Sequence, residues 1–258
     1  MSVTDMRRLA FSDAVKNNEI WPAFQPIVVM NDHALIGFEI LARWNSPVYG
    51  NITPDTFIPW AEEDGLLDAL TYHLITSACK MAQCWPGDFY LAFNISPLQF
   101  NNCNLVSMIF SAVSESGFPL ARVRIEMTES AAISESPAVR ALLERLGHAG
   151  VSITLDDFGT GYASLTRLRD FPFKTLKIDR GFVRNIANES SNQKIVSAII
   201  GLGTSLGLEI IAEGVEDIEQ ATILQSLGCV VAQGWHYGRE MAQSDASSFA
   251  SDRTSAVL

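Results

Sequence analysis

The sequence is poor in the residues that make covalent staples or soft-metal sites. Its four cysteines, Cys79, Cys84, Cys103 and Cys229, form no CxxC pair. That spacing excludes a disulfide framework and a cysteine zinc site, and reads the four thiols as small buried apolar groups of a reducing compartment. The histidines, His33, His73, His148 and His236, fall in no HxxxH or HExxH pattern, which removes the other common zinc arrangement. No window of about 18 residues is apolar throughout, so no membrane span is expected. The opening "MSVTDMRRLAFSDAV" lacks the apolar stretch of a secretory leader. These absences together place the chain in the cytoplasm. Positive charge is scarce as well: 18 Lys and Arg against 29 Asp and Glu leave a formal net charge of −11. Such a surface excludes a DNA or RNA duplex as partner, because a duplex needs a basic footprint. An anionic ligand carried by bound cations stays open.

What is present is apolar material in quantity. With 48% hydrophobic residues in 258, one large core can form, and a single-domain α/β barrel is routine at this length. Eight β-rich stretches stand out, at 23–29, 35–44, 89–96, 122–129, 151–158, 174–180, 208–214 and 230–237. Helical periodicity fills intervals between them, for example at 68–85, 104–117, 136–150, 193–207 and 216–228, and several of these runs end in glycine as a helix C-cap does. Strands alternating with helices predict a parallel sheet, and eight of them a closed (β/α)8 barrel. Only "MNDHA" separates the first strand from the second, too short for a crossover helix. The fold class is therefore α/β, a modified TIM (β/α)8 barrel with an antiparallel first strand pair. The whole chain, 1–258, reads as one domain with its core at about 20–242, and 243–258 as a small polar tail, frayed or loosely helical.

Chemistry in such a barrel belongs at the carboxyl ends of the strands. Those ends carry Glu39, Asn94, Glu126, Asp156 with Asp157, Lys177 with Asp179, Glu213 and Gln233, while the first strand carries Gln25. Strand parity supports the set: Ser152, Thr154 and Asp156 share one face and Val151, Ile153 and Leu155 the other. Carboxylates converging without a counter-charge repel, and at least one must take up a proton. One lysine cannot offset them, whereas hard divalent cations can, and an oxygen-only ligand set points to Mg2+ or Mn2+. Should the pleat break at Asp156, Asp157 swings back and the pair can hold two ions about 3.5–4 Å apart, the arrangement of two-metal phosphodiester hydrolysis. Each residue also has a plainer reading. A strand-end acid can cap the next helix, Lys177 can be a salt-bridge partner, Asn94 a turn residue, and Arg43 can pair with a neighbouring acid.

Eight motifs then fall in one order: "FQPIV" (24–28), "GFEILARW" (37–44), "FNISPLQF" (93–100), "EMTES" (126–130), "DDFGTGYASL" (156–165), "KIDRGFV" (177–183), "AEGVE" (212–216) and "QGW" (233–235). In these the chain resembles the EAL-type cyclic di-GMP phosphodiesterases over about residues 20–242. The resemblance implies hydrolysis of cyclic di-GMP to linear pGpG with two ions, Mg2+ or Mn2+. It implies metal ligation by Glu39, Asn94, Glu126, Asp156 and Asp157, and a water placed by Lys177 and Glu213 with Glu213 as general base. Asp179 would steady the lysine or sit near the second ion. Gln25, Leu41, Arg43 and Gln233 would meet the dinucleotide, Arg43 at a phosphate. Glu129 and Glu216 would support the 158–165 loop, where Gly159 and Gly161 give the backbone room to fold. The family also implies a homodimer through 162–173, with Phe171 and Phe173 exposed or, alternatively, packed beneath the loop. Three positions depart from the family's habit: Ile40 inside the signature, Val230 where aspartate is common, and Glu240 where proline is usual. The alternative readings are a catalytically silent cyclic di-GMP receptor and a protein-binding EAL domain.

Overall fold

The structure, a computed structural model, describes residues 3–129, 137–160 and 165–254. Among the described residues nine strands form one sheet: β1 (Ile20–Val29), β2 (Leu35–Ser46), β3 (Gly50–Ile52), β4 (Tyr90–Asn94), β5 (Val123–Thr128), β6 (Ser152–Phe158), β7 (Phe173–Ile178), β8 (Glu209–Ala212) and β9 (Val231–Gln233). The sheet closes through β1, which pairs antiparallel with β2 and with β9, while β2, β4, β5, β6, β7, β8 and β9 run parallel in sequence. The antiparallel first pair expected from its short connection is present. β3 is a hairpin strand hung on the end of β2, outside the ring.

Around the ring lie α1 (Val3–Lys16), α2 (Pro54–Glu63), α3 (Leu67–Ala82), α4 (Leu105–Ser116), α5 (Pro137–His148), α6 (Leu165–Asp170), α7 (Arg180–Arg184), α8 (Ser190–Ser205), α9 (Ile218–Ser226) and α10 (Gln243–Thr254). The parallel strands bury both faces, which is why they read as near-continuous apolar runs. Outward aliphatics such as Ile153 and Leu155 meet helix residues such as Leu143, Leu146 and Val196 in one large core. Helix α4 stops at Gly117, whose φ of 74° is a left-handed conformation that glycine adopts without steric cost.

Inside the ring the side chains are layered. The lower layer holds Arg124, hydrogen-bonded to Thr175 Oγ1 at 3.0 Å and ion-paired with Glu209, and stacked 3.5 Å from the Tyr90 ring centroid. Tyr90 fits because Gly37 has no Cβ to strike its ring. Above that polar floor come the residues of the strand ends.

The periphery differs from the expectations in three places and selects one of two readings in a fourth. The final segment is a helix, α10, whose Ala246 and Ala250 are fully buried; small side chains let it sit close to β1 and β2, with Phe249 6.3 Å from Phe38. Helices α1 and α2 build a second core, in which Phe11 and Phe57 flank Trp44 at 5.8 and 5.7 Å. Cys79 and Cys229 are buried as expected, but Cys84 and Cys103 are exposed, standing at the end of α3 and before α4 where the chain leaves the core. Phe173 is buried in β7 with Phe171 packed 5.8 Å away, so these rings serve the core, not an exposed face. Gly161 and Tyr162 lie outside the described residues.

Candidate active site

Lys177 organises the carboxyl-end rim. It points inward from β7, has no solvent exposure, and places Nζ 2.6 Å from Glu213, 2.8 Å from Glu126, 3.1 Å from Glu39 and 3.6 Å from Asp156. Four strands other than its own, β2, β5, β6 and the end of β8, thus deliver one carboxylate each to one ammonium group. Amides complete the lattice: Asn94 Nδ2 donates to Glu39 Oε1 at 2.7 Å, and Gln233 Nε2 donates to Glu39 Oε2 at 2.6 Å and to Gln25 Oε1 at 3.0 Å. The last contacts follow from register, since Gln25 lies opposite Glu39 across the antiparallel pair. Gln233 Oε1 stays buried without a hydrogen-bond partner among the described residues.

The adjacent aspartates are handled by a break in the pleat. Pairing between β6 and β7 shifts register between Leu155 and Phe158, and Asp157 takes a φ of 55°, a left-handed conformation that Asp tolerates better than most residues. Carboxylate oxygens of Asp156, Asp157 and Glu213 consequently lie within 4.8 Å of one another. The loop that follows is pinned where Gly159 N–H donates to Glu129 Oε2 at 2.9 Å. Asp179 accepts from Gly181 N–H at 2.9 Å and caps α7. The Glu216 N–H donates to Gln220 Oε1 at 2.7 Å.

Electrostatics mark this as a site short of positive charge. Burial pushes Glu213 up to about 8, with Asp156 and Glu39 adding repulsion that Lys177 only partly offsets. Burial, then the neighbouring Asp156 and Asp179, raise Asp157 to about 6. Burial also holds Glu126 well above the usual carboxylate range and raises Asp156. Glu39 is the exception: burial opposes its charge, but Lys177, Gln233 and Asn94 together keep it below its ordinary value. Lys177 stays charged, burial being outweighed by the acids around it. The donors are all oxygens and three carboxylates converge, so the cluster fits a hard divalent cation.

A cavity of about 680 Å³ opens above this cluster. Of the sequence-predicted residues, Gln25, Glu39, Leu41, Arg43, Asp156 and Asp157 line it, as do Asp179, Glu213, Glu216 and Gln233. Asn94 and Glu126 instead face a neighbouring, largely apolar cavity of about 310 Å³, shared with α2 and α3. Glu129 and Gly159 hold the loop beside the cavity. Ile40 is buried in the core and borders the smaller cavity. Strand parity did not reach Thr160, Arg180, Gly214, Gly234, Trp235 and Glu240, which also line the large cavity. Thr160, Arg180, Gly214, Gly234 and Trp235 lie just past a strand end inside the quoted motifs, Arg180 as the first residue of α7, and that adjacency is the available signal; Glu240, seven residues beyond β9, stood out only as a departure from the family's habit.

Residues 8–240 match the family model described as EAL domain. The chain is 39% identical over 232 residues to MucR of Pseudomonas aeruginosa, a bifunctional diguanylate cyclase/cyclic di-GMP phosphodiesterase, covering 88% of this chain and 34% of MucR. It is 35% identical over 246 residues to RocR of the same organism, a cyclic di-GMP phosphodiesterase, covering 94% of this chain and 61% of RocR. The chain therefore spans between about a third and three fifths of these relatives. A solved structure of the MucR phosphodiesterase in complex with cyclic di-GMP superposes with a TM-score of 0.88 at 37% identity, covering 93% of this chain and 99% of that one. The chain belongs to the EAL domain family.

Proposed function

We propose that this protein hydrolyses one 3′–5′ phosphodiester of cyclic di-GMP, giving linear pGpG. The observation that carries the reading is the convergence of Glu39, Glu126, Asp156 and Glu213 on Lys177 beneath the cavity, with Asp157 turned back to join them. Membership of a family whose relatives include named cyclic di-GMP phosphodiesterases supplies the substrate.

Glu39, Asn94, Glu126, Asp156 and Asp157 would hold two ions, Mg2+ or Mn2+, which would supply Lewis acidity at the phosphate and favour the ionised form of the acids whose affinity for protons burial raises. Glu213 takes a proton from the attacking water as its oxygen bonds to phosphorus. The P–O3′ bond breaks, and the released 3′ oxygen is protonated, so one water is consumed for each diester cut. Lys177 holds Glu213 in place at 2.6 Å and balances charge beneath the reacting phosphate. Asp179, as the cap of α7, fixes the turn beside Asp157. Gln25, Leu41, Arg43 and Gln233 line the wall where the rest of the dinucleotide lies, Arg43 offering its fork to a phosphate. Glu129 and Glu216 support the loops around the cavity, and Gly159 allows the first of them to turn. We place the protein in the cytoplasm and expect a homodimer, which light scattering decides by mass.

The test is chromatographic conversion of cyclic di-GMP by purified protein with and without Mg2+. Formation of pGpG that needs the cation and is lost in Asp156→Asn supports the reading. Intact substrate after prolonged incubation with folded protein rejects it.

A further inference from the structure

The cavity offers an anionic ligand little positive charge. Among the described residues that line it, Arg43 and Arg180 are the only cations, facing seven carboxylates. Lys177 lies beneath them, fully buried and already engaged. A cyclic dinucleotide carries two phosphodiesters, and only one can occupy the reacting position. The second must be met elsewhere on the wall, and a guanidinium fork is the group suited to it.

Arg43 is not free for that role. Its Nη1 donates to the Ala42 carbonyl at 2.7 Å, and its Nη2 donates to Glu240 Oε1 at 3.1 Å. The pair sits at the cavity mouth, with side-chain exposures of 21% and 39%. Glu240 is no wandering loop residue. The next residue, Met241, is bridged to β1 by two backbone hydrogen bonds, Phe24 N–H to Met241 O and Met241 N–H to Phe24 O, each 2.9 Å. The fold thus presents a carboxylate to Arg43 in the mouth of a pocket that is to receive an anion.

Building on the proposed function, we infer that Glu240 is a positioning residue: it holds Arg43 at the rim and competes with the second phosphate of a cyclic dinucleotide for the same guanidinium. Glu240 therefore sets the affinity of the site. Substrate binds by displacing one carboxylate from one arginine, and the chemical step below is untouched.

The experiment compares the parent protein, Glu240→Gln, Glu240→Asp, Arg43→Ala and the double variant Arg43→Ala/Glu240→Gln. Two quantities are read: KM and kcat for cyclic di-GMP, and the calorimetric Kd of its slowly hydrolysed phosphorothioate analogue in Mg2+. Glu240→Gln is expected to lower KM and Kd by about threefold to fivefold, the upper end of what an exposed ion pair is worth, with kcat moving less than twofold. Glu240→Asp, which keeps the charge, stays near the parent. In the Arg43→Ala background the Gln substitution has no further effect, because the partner is gone. An unchanged or higher KM and Kd in Glu240→Gln overturns the inference. So does an equal gain in the Arg43→Ala background, which would mean general relief of negative charge. If the parent binds the analogue but fails to hydrolyse cyclic di-GMP, the proposed function falls and the Kd series still decides the role of Glu240. Absence of binding by every variant overturns both.

Discussion

At the scale of single residues, Lys177 and its four carboxylates are the point on which stability and chemistry meet. A buried ion-pair network is costly to break one-sidedly, because the partners left behind stay desolvated and charged. Lys177→Met is expected to cost about 3–5 kcal/mol at pH 8 in metal-free protein. The cost should be much smaller at pH 5, where Glu213, raised to about 8, is already neutral and needs no counter-charge. Urea unfolding at the two pH values measures both. Asp157 makes the opposite case. Its backbone is left-handed and its carboxyl is pushed up by burial and by Asp156. Asp157→Asn keeps a side chain that tolerates that conformation and removes the repulsion. The variant should unfold at a higher temperature than the metal-free parent and bind divalent cations more weakly, a trade of function for stability that calorimetry can read.

At the scale of elements, the strands were legible because their chemistry alternates. Inward Glu126, Asp156 and Lys177 stand against outward Ile125, Leu155 and Leu176, and that period of two located the rim without any structure. The antiparallel start followed from the shortness of "MNDHA". Parity stops where a strand stops, so Thr160, Arg180, Trp235 and Glu240 carried no such signal although they line the same cavity. Helix α1 was missed because its sequence, "VTDMRRLAFSDAVK", is polar on average, and Phe11 and Ala14 are its buried residues among the described side chains. Helix α10 was read as a polar tail, frayed or loosely helical, for a related reason: its fully buried residues are alanines, which carry little apolar signal but allow close approach. Ala250 is fully buried, so Ala250→Leu should overpack the contact with the barrel and cost about 1–3 kcal/mol, read by thermal unfolding. An unshifted transition would show that the helix docks loosely. Gly234 punctuates the other end of the site. A Cβ there would collide with the backbone of Val215, so Gly234→Ala should displace Gln233 from Glu39 as well as destabilise the turn.

At the scale of the whole molecule, the pH dependence of stability follows from the site. Asp157 and Glu213 have folded values of about 6 and 8, above their ordinary 3.8 and 4.5. Folding therefore takes up protons at these groups, and their stabilising contribution is complete below about pH 4 and is lost as pH rises through 6 and 8. Glu39, held low, works in the reverse sense and only at acid pH. Metal-free protein should accordingly lose several degrees of melting temperature between pH 5 and pH 8.5. Divalent cation should restore more of it at the alkaline end, where fewer protons compete.

That competition gives the most direct test of the claim that these acids gather to hold cations. Mn2+ is titrated into metal-free protein at pH 7.5 by calorimetry in two buffers of different ionisation enthalpy. Binding with net release of protons, weakened in Asp156→Asn, is the predicted result. Folded protein that takes up no Mn2+, or binds it without releasing protons, would contradict the account.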